Sequence, residues 1–284
     1  MKGYISAVIS SQPEEALKVA DKLGKRKESE GMAIYYKRVG EDLRSILVPR
    51  LEKLMEVAEA ITLSSSFYLV VGREFSWVDG ELALLAEASG TPGVIISDNP
   101  DFSKVIKELS VSKFLGDFKE VDVEVGEAGY VYLDRVFNVR GVGTVGLGFS
   151  RTQIRTHDRF ISVPSMKQVD VKSIQVLDED VDSVPPGIRV GLALRNVTVD
   201  EIKDDYLLLR DTNLLTREVR EVSTFKWSTP VQNVHVVCGG ISVTGIMNAG
   251  KIELDRPVMK GSRCVILNLN ARTKTPRILG FGYT

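Results

Sequence analysis

Two glycine-rich stretches have residue types and spacing that could bind phosphate. "NVRGVGTVGLGF" (residues 138–149) contains G-x-G-x-x-G at Gly141, Gly143 and Gly146, and "GIMNAGKI" (residues 245–252) fits G-x-x-x-x-G-K. In nucleotide-binding proteins such glycines follow a strand and open a helix, whose amides hold the phosphates. Neither stretch here is followed by a helical pattern, so the sequence predicts that neither binds a nucleotide.

Both stretches instead read as β structure. After Gly146 the apolar residues alternate and "SRTQ" turns the chain, while "NAG" joins two strand-like runs as a hairpin signal. Ile252 also stands where a phosphate loop needs Ser or Thr. We interpret the first set of glycines as bulges and close backbone approaches in a curved sheet, and the second as a hairpin turn.

Composition limits the class of protein. The chain has 284 residues, of which 43% are hydrophobic and 26% charged, as in a soluble globular protein of two or three domains. The stretch "MKGYISAVISS" is too short for a secretion signal and no apolar run is long enough to span a bilayer, so we expect a cytoplasmic protein without a membrane partner.

The small number of cysteines and histidines limits the metal ions and cofactors that the chain could hold. Cys238 and Cys264 both lie in strand-like runs and could pair, but a reducing cytosol favours two buried thiols. The two histidines, His157 and His235, form no cluster with metal-ligand spacing. We therefore predict no metal site and no cofactor.

Charge is distributed unevenly along the chain. The net charge is −5 over residues 1–125, −1 over residues 126–210 and +5 over residues 211–284. A basic C-terminal part could face RNA or another acidic surface. The alternative is a small barrel with ordinary solvated charges.

The periodicity changes near residue 120. Before it, strand patterns alternate with helical ones, which predicts an α/β domain with a mainly parallel sheet. After it come short β runs, with one helical turn at "TVDEIKDD" and a second break near Asp211. The sequence predicts an α/β domain over residues 1–122, followed by two all-β barrels over residues 123–210 and 211–284.

The β runs resemble the second domain of the translational GTPases. "VFNVRGVGTVGLGFSRTQIRTHDRFISVP" and "PPGIRVGLALRN" are most similar to selenocysteine-specific elongation factors of the archaeal and eukaryal kind, and next to elongation factor Tu. The family's G-x-G-T-V-x-x-G and G-x-x-V-G-L-x-L patterns are matched by Gly143, Thr144, Val145, Gly148, Gly187, Val190, Gly191 and Leu194. "HVVCGG", "KIELDRPV" and "PRILGFGYT" are similar to the third-domain barrel. The resemblance implies a shortened, degenerate P-loop GTPase-like domain followed by translation-factor domains II and III.

The same resemblance implies that the GTP site is lost. "SSQPEEALK" follows the first strand and puts Pro13 and Glu14 where the family has a glycine and a lysine. Ile46 and Pro49 take the places of the acid and the glycine of the D-x-x-G motif, and Asp101 alone could remain of N-K-x-D. A proline lacks an amide donor and a glutamate repels phosphate. We expect no nucleotide binding and no catalytic residues.

A binding role is the function that this pattern favours. The chain is predicted to be an elongation-factor-like protein without GTP hydrolysis, whose barrels bind aminoacyl-tRNA or a protein of the translation apparatus, and not DNA. In elongation factor Tu a glutamate of the second barrel holds the terminal adenosine, and counting back from "GIRVGL" places Gln175 there. Alternatively, Gln175 is an exposed strand residue without a ligand. The basic residues Arg272, Lys274 and Arg277 are further RNA-binding candidates.

Two other functions stay open at this point. The chain could be a divergent GTP-binding elongation factor with a noncanonical nucleotide site, in which case it would be an enzyme. It could also be a protein-interaction scaffold or regulator with no RNA ligand.

Overall fold

The computed structural model describes residues 1–28, 31–229, 231–272 and 274–284, which form two compact units. Met1–Tyr4, Arg38–Ser45 and Glu124–Leu215 form the first unit. Ile5–Lys37, Ile46–Val123 and Thr216–Thr284 form the second. Most of the α/β domain therefore shares a unit with the third domain. The domain boundaries at residues 122 and 210 stay predictions.

The α/β domain contains six strands and four helices among the described residues. The strands are β1 (Gly3–Ser10), β2 (Lys25–Glu28), β3 (Ala33–Val39), β4 (Asp42–Val48), β5 (Ser66–Val71) and β6 (Gly93–Ser97). The helices are α1 (Pro13–Leu23), α2 (Leu54–Leu63), α3 (Trp77–Ser89) and α4 (Phe102–Ile106), and a 3-10 turn follows at Ser110–Phe114.

The sheet of this domain is mixed. Its strand order is β2-β3-β4-β1-β5-β6, in which β1 pairs with β5 and β5 with β6 in parallel, while β2 and β3 are antiparallel. The prediction of a mainly parallel sheet is therefore wrong for the half that contains β2. This part was missed because β2 is short and largely exposed, so it lacks an apolar run.

Local signals explain the helix ends. Helix α1 begins with a proline and two acids, buries Ala16, Val19, Ala20 and Leu23 on one face, and stops at Gly24. Helix α3 begins with a capping box between Ser76 and Asp79 and ends at Gly90, whose φ of 68° is left-handed. These signals account for the residues at which both helices begin and end.

The second domain is a closed β-barrel. Its elements are β7 (Tyr130–Val139), β8 (Gly143–Arg151), β9 (Ile154–Arg155), β10 (Arg159–Val163), β11 (Gln168–Val176), β12 (Glu179–Val181), β13 (Ser183–Val184), β14 (Arg189–Arg195), α5 (Val199–Ile202) and β15 (Leu207–Leu209). Six strands follow the order β10-β15-β7-β8-β14-β11, and β10 also pairs with β11, which closes the barrel. The predicted helical turn is α5, capped by Thr198 and Glu201.

The glycines of the G-x-G-x-x-G stretch lie at and after the β7–β8 hairpin. Gly141 and Gly143 take positive φ angles of 83° and 103° around the turn. Further along β8, a Cβ atom at Gly148 would lie 1.8 Å from the carbonyl oxygen of Tyr132. The register of β7 shifts at this point, between Leu133 and Arg135. A close backbone approach beside a bulge thus occurs at Gly148, after the motif, whereas Gly141 and Gly143 are turn glycines with no atom within 4 Å of a built Cβ.

The third domain is a second closed barrel, preceded by a 3-10 turn at Thr212–Leu214. Its strands are β16 (Leu215–Thr224), β17 (Asn233–Cys238), β18 (Ile241–Asn248), β19 (Lys251–Met259), β20 (Arg263–Leu267) and β21 (Ile278–Tyr283). They close in the order β16-β19-β18-β17-β20-β21. The G-x-x-x-x-G-K stretch is the β18–β19 hairpin, with Ala249 and Gly250 at positive φ.

Cys238 and Cys264 form a disulfide within the third barrel. They lie opposite each other on the antiparallel strands β17 and β20, with their Cα atoms 4.5 Å apart. This distance is within the range of disulfides. The prediction of two free thiols is wrong. It rested on the reducing cytosol, whereas the strand register places the two cysteines directly opposite each other.

We expect the disulfide to contribute to the stability of the third barrel. It joins residues 26 positions apart, and a cross-link over such a loop removes about 3 kcal/mol of unfolded-state entropy. Reductant should therefore lower the urea midpoint of the native protein. The Cys238→Ala/Cys264→Ala double variant should start at the lower midpoint and be unaffected by reductant. Equal midpoints for all samples would contradict this expectation.

Among the described residues, no helix has the length and apolar composition that crossing a membrane requires.

Candidate functional site

The connection from β1 to α1 lies at the carboxyl end of a parallel strand, where α/β proteins bind ligands. Only Ser11 and Gln12 separate the two elements. The Gln12 amide donates to Ser10 Oγ at 3.0 Å, Pro13 has no amide hydrogen, and the amides of Glu15 and Ala16 donate to the Gln12 carbonyl. The backbone donors that a phosphate would need at this end are thus largely used within the protein.

The charge at the same end also opposes phosphate. Glu14 is exposed in the first turn of α1, and Glu15 is half-exposed beside it and pairs with Lys18 at 2.6 Å. The free amides at a helix N-terminus attract anions. Carboxylates in the first turn already interact with these amides in place of a phosphate. Pro13 and Glu14 lie at the start of α1, where two carboxylates share the first turn.

The end of β4 carries no carboxylate for magnesium. Ile46 is 2% exposed and packs in the core with Val48, and Pro49 follows the strand. The Arg50 side chain then pairs with Glu56 through its Nε, and its backbone amide donates to Glu56 Oε1 at 2.8 Å. Ile46 in this segment packs in the core, and Arg50 pairs with Glu56. These side chains stand where metal ligands would be needed.

A small cavity lies between these two segments. It measures about 170 Å³ and is lined by residues that include Ser10, Pro13, Ala33, Pro49 and Arg50. Pockets for drug-sized ligands usually measure about 300–1,000 Å³. The cavity is smaller than this range.

Asp101 lies at the start of α4, after β6. Its carboxylate accepts a hydrogen bond from Lys104 at 2.6 Å, and its amide donates to Asn99 Oδ1 at 2.9 Å. The Asn99 side chain in turn donates to the Arg73 carbonyl at 2.6 Å. The loop is thus closed by its own contacts, and Asp101 is exposed on it.

No metal centre accompanies these residues in the part of the chain that the structure describes. No group of three or more His, Cys, Asp or Glu side chains could hold a metal ion there.

Gln175 lies on the second barrel, in a row that crosses three strands. It pairs with Gly191 of β14, and Gly191 pairs with Leu147 of β8. Gln175 is exposed, Gly191 and Leu147 are half-buried, and the Gln175 amide donates to Asp180 Oδ1 at 2.9 Å. The hydrogen bond holds the amide group in place beside the glycine.

Gly191 leaves the middle of this row uncovered. A Cβ atom built there would meet only Gln175 Cβ, at 3.9 Å. An aromatic ring or a nucleobase could lie on the bare backbone, between the Gln175 amide and the Leu147 side chain. We call Gln175, Gly191 and Leu147 the glycine-centred surface.

The three basic candidates of the third barrel lie in different surroundings. Arg272 and Lys274 are exposed in the loop between β20 and β21. Arg277 is half-buried and donates to the Glu81 carboxylate through Nε at 3.1 Å and Nη2 at 2.5 Å, and through its backbone amide at 2.7 Å. The structure thus separates Arg277, an internal partner of α3, from two side chains that face solvent.

Sequence reasoning missed the contacts between the α/β domain and the third barrel, which belong to one unit. Helix α2 packs against β17 and β18, and α3 against β20 and β21. Arg263 donates to the carbonyls of Glu87 and Ala88 at the end of α3. The signal was Glu81, an acid that directly precedes the apolar run "LALLA" and whose side chain is 1% exposed.

A second acid in these contacts is Glu59 of α2. It accepts a hydrogen bond from Ser242 Oγ at 2.5 Å. Burial raises the pKa of the Glu59 carboxyl, and the Ser242 hydroxyl opposes that shift. The neighbouring Thr62 hydroxyl accepts from the Gly240 amide at 3.1 Å. Polar groups of α2 are therefore matched to polar groups of the barrel.

Comparisons with known proteins agree with the architecture. No protein-family model matches the chain. An uncharacterised protein of Methanocaldococcus jannaschii is 30% identical over 179 residues, which cover 57% of this chain and 56% of that protein. The selenocysteine-specific elongation factor of the same organism is 27% identical over 211 residues, covering 62% of this chain and 44% of that protein. The chain spans about half the length of the curated relatives it matches.

A solved structure shares the whole fold. Translation elongation factor SelB from Methanococcus maripaludis, in complex with the GTP analogue GppNHp, superimposes with a TM-score of 0.80 and 16% identity. The match covers 100% of this chain and 79% of that one. The expected fold, an α/β domain followed by two barrels like those of translation factors, is confirmed.

Proposed function

From its relation to the translational GTPases, we propose that this elongation-factor-like chain is a binding protein that does not hydrolyse GTP. Its barrels bind aminoacyl-tRNA or a protein of the translation apparatus in the cytoplasm. The proposal depends above all on one observation, the junction between β1 and α1. There a two-residue connection, Pro13 and internally bonded amides stand where a phosphate loop would be.

Energetics support the loss of nucleotide binding. P-loop proteins bind phosphate through backbone amides, a lysine and a bound magnesium ion together. The chain has Glu14 in the lysine position and Ile46 in that of the magnesium-linked acid, so none of these contributions is available. Charge-assisted hydrogen bonds contribute roughly 1.5–3 kcal/mol each, and the loss of several removes useful affinity.

Isothermal titration calorimetry with GTP, GDP and magnesium tests this part. We expect no heat of binding at micromolar protein, and the same result for Glu14→Lys, because one restored lysine supplies neither the loop nor the metal ligands. Micromolar affinity for GTP or GDP would contradict the proposal and favour a divergent GTPase with a noncanonical site.

The RNA-binding part rests on the glycine-centred surface. Following the resemblance to elongation factor Tu, we propose that the terminal adenosine of an acceptor stem lies near Gln175. The uncovered backbone at Gly191 supports this, since a base can lie there without displacing a side chain. Leu147 supplies an apolar border. Stacking and edge contacts of this kind contribute about 1–3 kcal/mol per base.

Binding of an aminoacylated acceptor mini-helix tests this surface. We expect Gln175→Ala to weaken binding by about 1–3 kcal/mol with an almost unchanged salt dependence, since no phosphate contact is lost. Gly191→Val should fill the surface and weaken binding at least as much. The matched control is Lys172→Ala, an exposed change on the same strand. A protein that binds neither mini-helix nor tRNA, even at low salt, would leave a protein-interaction role.

A further inference from the structure

Both tryptophans of the chain are unusually exposed. Trp77 is 45% exposed and Trp227 is 43% exposed, and no other tryptophan occurs in the sequence. Val105, at 46%, is a third large apolar side chain open to solvent. In folded proteins most of the surface of a large aromatic side chain is usually buried. Several large apolar side chains exposed in one area mark an interaction site. We call Trp77, Val105 and Trp227 the two-tryptophan surface.

Contacts within the second unit bring Trp77 and Val105 together. Trp77 is the first residue of α3, and Gly80 follows one turn later. A Cβ atom at Gly80 would lie 3.7 Å from Val105 Cγ1 of α4. The Arg277 guanidinium lies 5.9 Å from the centre of the Trp77 ring. Trp77 is thus bordered by α4 on one side and by the start of β21 on the other.

Trp227 lies in the turn after β16, and its neighbours contact the same two elements. The Lys226 ammonium is 4.7 Å from the centre of its ring and pairs with Glu108, just after α4. The adjacent Phe225 amide donates to the Leu279 carbonyl at 2.8 Å, two residues after Arg277. Both tryptophans thus lie near α4 and the first residues of β21, and from these shared neighbours we infer that they contribute to one surface of the unit.

Cations surround this surface. Arg277 and Lys226 lie over the tryptophan rings, and four more basic side chains are exposed in the adjoining segments. These are Arg73, Lys107, Arg272 and Lys274. Of the neighbouring acids, Glu108 is bound by Lys226 and Asp101 by Lys104, while Glu74 is exposed beside Arg73. Exposed aromatic rings flanked by cationic side chains suit a nucleic-acid strand, whose bases can stack on the rings and whose phosphates can contact the cations.

We propose that the two-tryptophan surface binds unpaired nucleotides of single-stranded RNA. Bases stack on Trp77 and Trp227, and Arg272 and Lys274 bind the phosphates. The site extends the proposed RNA-binding role but uses different residues from the glycine-centred surface. It requires no acceptor stem and little sequence preference, since every base has a face that can stack. A protein partner would cover the apolar side chains equally well, but the excess of cations favours a polyanion.

Intrinsic fluorescence offers a direct test, because the emission comes from these two residues alone. We expect a short oligouridylate to quench the tryptophan emission of the full chain at low salt. In anisotropy measurements with the labelled oligonucleotide, Trp77→Ala and Trp227→Ala should each weaken binding roughly 5- to 150-fold. Arg272→Ala/Lys274→Ala should reduce the salt slope by about 1.4. Circular dichroism checks that each variant folds.

The controls separate this site from the proposed acceptor-end site. Gln175→Ala should leave oligouridylate binding unchanged, and Trp227→Phe should retain most of it, because a phenyl ring still stacks. Quenching without mini-helix binding would contradict the acceptor-end proposal and support this one. Absent quenching at low salt, or tryptophan variants that bind as tightly as the native protein, would overturn the two-tryptophan proposal, and capture of a protein through this surface would then identify its partner class.

Discussion

Replacing Arg277 by alanine should lower the free energy of unfolding of the second unit by about 3–5 kcal/mol. The Glu81 side chain is 1% exposed and its carboxylate receives the Nε, Nη2 and backbone amide groups of Arg277. Without the guanidinium, a charged group would remain buried with most of its partners removed. Such a group costs more than the lost ion pair itself, because neither water nor protein compensates its desolvation.

Urea unfolding of matched variants measures this effect. Arg272→Ala is the control, an exposed basic residue five positions earlier in the same loop, and should change the free energy of unfolding by no more than about 0.5 kcal/mol. Glu81→Gln/Arg277→Ala should recover part of the loss, because it removes the buried charge. If Arg277→Ala and Arg272→Ala unfold at the same urea concentration, the ion pair does not stabilise the unit.

The second large effect is expected in the second barrel, at Gly148. A Cβ atom there would lie 1.8 Å from the Tyr132 carbonyl oxygen and 2.8 Å from its carbonyl carbon. These are backbone atoms of the paired strand, so no side chain can move aside. Gly148→Ala must separate β7 from β8, and we expect a loss of about 3 kcal/mol or more, or failure to fold.

Gly191→Ala is the matched comparison in the same barrel. Its added Cβ atom would meet Gln175 Cβ at an ordinary 3.9 Å, so the variant should retain native thermal stability. Thermal unfolding followed by circular dichroism distinguishes the two. A Gly148→Ala protein that melts like Gly191→Ala would show that β7 and β8 do not approach as closely as described.

The architecture was predictable where the patterns are long and periodic. The apolar spacing of α1, the proline at its start and Gly24 at its end specified that helix. Strands β3 and β4 were missed because a tight connection at Gly40 joins them, without the helical segment that the alternating pattern suggests. Their apolar runs, "AIYY" and "SILV", differ little from those of a buried helix of similar length.

The candidate site was predictable by residue type more than by environment. Pro13 and Glu14 predict from the sequence alone that phosphate binding is opposed. The internal use of the neighbouring amides depends on hydrogen bonds that only the folded backbone shows. In the sequence, Arg272, Lys274 and Arg277 are simply three basic residues of one segment. In the structure, Arg277 contacts a buried carboxylate, whereas Arg272 and Lys274 face solvent. The acid that separates them, Glu81, is almost two hundred positions away in the sequence.

The discontinuous second unit has a consequence for biosynthesis. Glu124–Leu215, the main part of the first unit, is continuous and is complete once Leu215 has left the ribosome. The second unit is complete only after β17, β18, β20 and β21 have been synthesised to cover α2 and α3. A nascent chain therefore carries an open helical face with two acids, Glu59 and Glu81, after every segment of the first unit has been made. During translation the first unit should complete its fold before the second.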